Sequence, residues 1–266
     1  MLFPKYSEFL EQHGSGLACA DVMVVERDSQ YVTFYTPFEH VVTTARLVLV
    51  GITPGITQLE NSYAAIQSAL RAGATPEDAL RASKEAGAFS GDLRTNLLRL
   101  LKYFRFAERL DISSEEHLWT SASSLLHSTS VVPHAAFARR NEKLAMFNGS
   151  FDQILAAPVL FRCFRDQLLP SLAKLPSNAF FIGLGPTPLD ALQWCVREGL
   201  LRDAQVLGAF PHPSRNAGSQ VDIYLGNRKP ADLHPKDPVQ FRVKWLSAAY
   251  QQMDTKVSQA FPLPNE

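Results

Sequence analysis

Long apolar runs are missing from this 266-residue chain, and so is any imbalance of charge. No stretch approaches the roughly 20 consecutive apolar residues that a membrane-spanning helix needs. No charged-then-apolar leader opens the chain, so a cytoplasmic protein with no membrane partner is expected. Lys and Arg together number 26, Asp and Glu also 26, and the formal net charge is zero. Bulk charge therefore selects no partner, and a polyanion site would need a local cluster of cations. Cysteine is scarce: Cys19, Cys163 and Cys195 are an odd number, far apart, with no C-x-x-C pair. That spacing suggests neither a disulfide framework nor zinc or iron–sulfur ligation; reduced, buried thiols are expected, with no metal and no cofactor. Neither a Gly-x-x-x-x-Gly-Lys-Ser/Thr loop nor a Gly-x-Gly-x-x-Gly fingerprint occurs. Internal repeats and low-complexity segments are absent too.

What is there reads as a globular α/β domain. The apolar fraction is 46% and the charged fraction 20%, ordinary for a chain long enough to bury a sizeable core. One domain is expected over residues 1–266, with 1–45 as an N-terminal extension packed on it and 255–266 as an irregular tail. A short helix is predicted over 6–12, and a β-rich stretch over 22–35 with Asp28-Ser29-Gln30 as its turn. A helix is predicted over 62–71. Thr75, with Pro76 behind it and Asp78 three residues on, signals the start of another that ends at Gly87. Ser90 is read as the cap of a third, carrying Leu93, Leu97, Leu100, Leu101 and Phe104 at helical spacing. Residues 118–121 are an ambiguous candidate strand start, and Ser130-Val131-Val132-Pro133 an extended piece. The run Arg139-Arg140-Asn141-Glu142-Lys143 reads as a polar, net-basic loop, and Asn148-Gly149 as a turn. Helices over 151–156, 158–172, 188–200 and 238–253 complete the pattern. Between them lie apolar strands over 179–185 and 204–210. Strands alternating with helices give a mostly parallel sheet.

Two loops concentrate the chemistry. Leu47-Val48-Leu49-Val50 runs without a polar interruption into Gly51-Ile52-Thr53-Pro54-Gly55, as a strand buried on both faces does. Gly51 and Gly55 allow positive φ or close approach, and Pro54 stiffens the turn. Open α/β sheets place ligands at such carboxyl ends. The second loop is Pro211-His212-Pro213-Ser214-Arg215-Asn216. His212, fixed between two prolines, is suited to donate to a developing oxyanion or to move a proton. Ser214, Arg215 and Asn216 are donors able to grip phosphate. Each loop alone is also compatible with an ordinary turn, and a turn histidine bonded to its neighbours; it is the pair that suggests a site.

Gly51-Ile52-Thr53-Pro54-Gly55 resembles the first motif of the uracil-DNA glycosylase superfamily, in the Gly-x-Asn-Pro-Gly form of its mismatch-specific and single-strand-selective branches. His212-Pro213-Ser214-Arg215-Asn216 resembles the second, His-Pro-Ser followed by a short wedge into DNA. The strand and helix over 180–192 are similar to the segment between the two motifs, so the resemblance spans roughly 47–216. It implies a three-layer α/β/α sandwich around a central, mostly parallel four-stranded sheet. It also implies a monomer that acts on DNA and hydrolyses, without metal, the N-glycosidic bond of a flipped base. His212 then takes the place of the donor to the departing base. Thr53 takes that of the water-positioning group, where the more active branches carry Asn or Asp. Backbone amides around Pro54-Gly55 and Ser214 would hold phosphates, while Arg215 or Asn216, beside Pro213, would fill the gap left by the base. In the family an asparagine reads uracil from the end of a middle strand; Ser121 stands there in this chain, with Asn148 as a substitute. Tyr63 is a candidate for stacking on the base, and core packing is its other reading. These departures favour a modified pyrimidine, larger at C5, over plain uracil. A DNA-binding relative without catalysis, and an unrelated α/β enzyme holding a nucleotide phosphate on the Gly51 loop, are the alternatives.

Overall fold

The computed structural model describes residues 1–141, 143–214 and 217–263. In chain order it contains α1 (Phe3–His13), β1 (Val24–Arg27), β2 (Tyr31–Phe34), β3 (Leu47–Gly51), α2 (Ile56–Arg71) and α3 (Pro76–Gly87). Next come α4 (Asp92–Tyr103), the single turn α5 (Phe106–Arg109), β4 (Leu126–Ser130), β5 (Ala135–Arg140), β6 (Lys143–Met146), α6 (Phe151–Ala156), α7 (Pro158–Cys163) and α8 (Leu169–Leu172). The chain ends with β7 (Phe180–Leu184), α9 (Pro186–Arg197), β8 (Val206–Phe210), α10 (Gln220–Tyr224) and α11 (Val243–Ala260). Two compact units result. The first comprises Met1–Thr43, Gly51–Ser90 and Ser128–Leu175; the second comprises Thr44–Val50, Gly91–His127 and Pro176–Glu266.

Most of the parallel sheet belongs to the second unit. Its order is β4-β3-β7-β8, with β3 parallel to β7 and β7 parallel to β8. All of β3 and β8 is buried, which their unbroken apolar sequences required. Helices α9 and α11 pack on β7 and β8. Where α9 crosses β7, a Cβ on Gly183 would stand 2.8 Å from the Leu189 amide nitrogen, so a bare backbone is needed there. The protein is therefore an α/β sandwich with a helix-covered, mostly parallel four-stranded sheet.

The first unit carries a second, antiparallel sheet in the order β1-β2-β5-β6. The β1–β2 hairpin turns at Asp28, whose carboxylate accepts from the Gln30 and Tyr31 amides. One face of the sheet, with Val32, Phe34 and Phe137, joins α1 and α2 in a core where Tyr6 stacks on Tyr35 at 4.3 Å. Helix α3 starts as its sequence requires, Thr75 Oγ1 accepting from the Asp78 amide at 3.2 Å.

Several expectations change. In the segment expected as a basic loop at 139–143, Arg139 and Arg140 close β5 and Lys143 opens β6, with Arg140 opposite Lys143, while Glu142 lies outside the described residues; the charges hide the strand alternation. Residues 118–121 begin no strand: a 3-10 turn covers Glu115–Trp119, and the strand starts at Leu126, behind a polar run with no apolar period. Helix α2 begins at Ile56, six residues before the predicted start, and α4 begins behind Gly91 at φ 69° instead of behind Ser90. The predicted 158–172 helix is interrupted by a π turn at Phe164–Leu168, with Pro170 in the turn that follows. Residues 1–45, expected as an extension, contribute two of the four antiparallel strands. The expected irregular tail at 255–266 begins as helix: α11 continues to Ala260, and Phe261 stacks on Phe180 at 4.7 Å, because burying that ring holds the chain down; residues 264–266 lie outside the described residues.

Candidate active site

In the first unit, the chain leaving β3 is bonded at nearly every step. The Gly51 and Ile52 carbonyls accept from the Val131 and Val132 amides at 2.8 and 2.9 Å. Thr53 Oγ1 then donates to the His134 carbonyl at 2.8 Å and accepts from the Ala136 amide at 2.9 Å. Pro54 is buried. Gly55, in extended geometry at φ −80°, caps α2, and its amide donates to Gln58 Oε1 at 2.8 Å. Neither glycine adopts positive φ. Nor does close approach constrain Gly51: a Cβ would sit in ordinary contact, 3.4 Å from the Phe89 ring and 3.5 Å from Ser130 Oγ.

Behind Thr53 stands a histidine that the sequence did not single out. His134 is 2% exposed. Its Nδ1 accepts from the Thr36 amide at 3.3 Å, and Thr36 Oγ1 accepts from the Ala135 amide at 3.0 Å. Desolvation lowers its pKa to about 4, partly offset by the Thr36 hydrogen bond. The ring is thus neutral near pH 7, and its Nε2 has no partner among the described residues. Thr36, His134 and Thr53 form one ladder that holds the loop. The only sequence signal was the extended Val131-Val132-Pro133 run just before His134.

The second unit holds His212 differently. The ring follows β8 and is partly buried. Its Nδ1 accepts from the Ser214 amide at 3.3 Å and lies 2.9 Å from Ser214 Oγ. Because a backbone N–H donates to Nδ1, the neutral ring carries its proton on Nε2. Burial, and then the charge of Arg242, hold the pKa below the ordinary histidine value, so the neutral form dominates near pH 7. Asn96 on α4 donates to the Pro213 carbonyl at 3.0 Å, a brace that helical spacing alone did not reveal. Further along, Arg242 donates to Gln220 Oε1, and the Gln220 amide donates to the Ala217 carbonyl.

The other expected residues divide. Asn148 is brought toward the Thr53 ladder: the Ala136 carbonyl accepts from the Phe147 amide at 2.9 Å, and Asn148 follows, exposed. Ser121 is not at a strand end but in an exposed turn ahead of β4. Tyr63 is fully buried, and its hydroxyl donates to the Tyr35 carbonyl; it belongs to the core and offers no ring face to a base. Ser214, expected to grip phosphate, turns both its amide and its hydroxyl to His212. Arg215 and Asn216 lie outside the described residues. Among the described residues, no three His, Cys, Asp or Glu side chains converge as metal ligands, and no helix is long and apolar enough to cross a membrane.

No protein-family model matches the chain. An uncharacterized protein of Bacillus subtilis (strain 168), YoxB, is 26% identical over 210 residues, spanning 79% of this chain and 80% of YoxB. Among solved structures, wild-type SMUG2 of Pedobacter heparinus is similar with a TM-score of 0.36 and 12% identity, over 69% of this chain and 74% of that one.

Proposed function

We propose that the protein is a monofunctional DNA glycosylase that hydrolyses the N-glycosidic bond of a flipped-out uracil or modified pyrimidine, as a cytoplasmic monomer without metal or cofactor. The observation that carries this reading is the tautomer of His212. A neutral imidazole, anchored through Nδ1, has its Nε2–H left as a donor. A base leaving as an anion puts charge on its O2, and a fixed donor at that oxygen lowers the barrier without needing to titrate.

Thr53 enters the reaction in a limited way. Its only proton goes to the His134 carbonyl, so the hydroxyl has one lone pair left to accept from an attacking water. Neither loop contains a carboxylate to act as base. The chemistry therefore relies on departure of the base, with water adding to a sugar that already carries positive charge. Asn148 is the amide we assign to reading the base edge. A base with a substituent at C5 is the preferred substrate.

The test is a panel of oligonucleotides carrying uracil, hypoxanthine and 5-substituted pyrimidines, treated with protein and then with alkali. Strand breaks at one base, lost in His212→Ala, support the proposal. A second reading, a DNA-binding relative without catalysis, draws on the engagement of the Thr53 hydroxyl by backbone on both sides. Salt-sensitive DNA binding without abasic product would select it.

A further inference from the structure

The β5–β6 hairpin ends in cations set against one another. Arg139 and Arg140 close β5, Lys143 opens β6, and all three are exposed. Asn141, at φ 46°, turns the chain between them. In the register, Arg139 lies opposite Leu144 and Arg140 directly opposite Lys143. Like charges facing each other across an antiparallel pair destabilise it. None of the three side chains has an ion-pair or hydrogen-bond partner among the described residues.

The rest of the same unit treats its arginines otherwise. Arg27, Arg81, Arg162 and Arg165 pair with Asp21, Asp78, Glu26 and Asp166. Arg71 donates to the Glu11 and Gln12 carbonyls. Stability alone gives no reason to set these arginines and Lys143 against one another, without a partner among the described residues, when the unit's other arginines are all engaged. A polyanion laid across it would turn the repulsion into attraction.

Strand β5 also fixes where such a polyanion would run. The Ala136 amide is bonded to Thr53 Oγ1, and Arg140 lies four residues further along the same strand. At roughly 3.3 Å per residue, the cations stand about 13 Å from the Thr53 contact. Measured along the axis of B-DNA, where each strand places a phosphate every 3.4 Å or so of rise, that is about four nucleotides.

We infer that the hairpin tip, Arg140 and Lys143 with Arg139 beside them, binds backbone phosphates of DNA about four nucleotides from the base held at the Gly51 loop. This rests on the glycosylase reading for the identity of the polyanion. The sheet supplies the rigidity: the cations are presented on paired strands and not on a mobile loop.

The test measures binding of a short duplex, by fluorescence anisotropy, from low to physiological salt. Arg140→Gln/Lys143→Gln is expected to flatten the slope of log affinity against log salt by about 1.8, two phosphate contacts at about 0.9 each. Each single variant should give about half of that. The charge-preserving Arg140→Lys/Lys143→Arg protein should keep the wild-type slope, as should Arg27→Gln, whose cation is already paired. The urea midpoint of the Gln/Gln variant should stay level or rise, because a repulsion is removed, which a structural role for the pair would not produce. A wild-type slope in the Gln/Gln variant, in a protein that still binds DNA and releases its base, overturns the hairpin inference alone. Absence of any DNA binding by the wild-type protein overturns it together with the glycosylase reading.

Discussion

The two loops named in the sequence use the same device, a side chain held by backbone, to opposite ends. At Thr53 most of the hydroxyl is taken: its proton goes to the His134 carbonyl, and one of its two lone pairs to the Ala136 amide. At His212 one ring nitrogen is taken by Ser214, and the other is left to act. The first arrangement makes a scaffold, the second a poised donor. A motif position thus identifies where a side chain is, while its hydrogen-bond partners decide how much chemistry it has left.

That contrast can be broken by substitution, and the largest effect belongs at His212. Replacing it with alanine should lower single-turnover base release about 10²–10³-fold, as removal of one oxyanion donor does, while the urea midpoint changes little. Thr53→Val should do the reverse. It keeps the shape but leaves the His134 carbonyl and the Ala136 amide unpaired, costing about 2–4 kcal/mol of stability in urea unfolding, with Thr53→Ser restoring most of it. Should Thr53→Val abolish base release without loss of stability, the scaffold assignment fails.

A pH series sharpens the comparison further. His134 has a folded pKa of about 4 against an ordinary value of 6.5, so the unfolded chain binds the extra proton first. Its contribution is complete above pH 6.5 and is lost as the pH falls toward 4. At about 1.4 kcal/mol per pH unit, the loss reaches about 3 kcal/mol. Urea unfolding from pH 7 to pH 4 reads it, and His134→Gln should flatten that part of the curve. The smallest effect is expected for Asn96→Ala, which frees the Pro213 carbonyl. A loss of about 1 kcal/mol in holding the His212 loop corresponds to about a fivefold fall in rate, checked by single-turnover kinetics.

Much of this molecule is legible in its sequence. Strands β3, β7 and β8 announced themselves through unbroken apolar runs, since only a helix-covered parallel sheet hides both faces. Thr75 announced α3, because a cap is a local hydrogen bond. His212 stood out between its prolines. The antiparallel sheet was half visible: the β1–β2 hairpin was anticipated, but its partner hairpin was concealed by Arg139, Arg140 and Lys143, whose charges imitate a loop. His134, Asn96 and the ladder through Thr36 left almost no local signal, because their partners lie 81 to 117 positions away along the chain.

Local order, then, was determined by the sequence itself: where apolar runs, caps and turn residues fall sets the strands, most helices and the identity of both loops. Only the tertiary structure decided what those loops can do. Whether Thr53 is spent or free, and that Tyr63 belongs to the core, are settled by partners far away in the chain, and burial by the fold holds the His212 ring neutral. The reason is physical: backbone preference acts over a few residues, whereas desolvation and hydrogen-bond satisfaction depend on whatever the fold packs against each group.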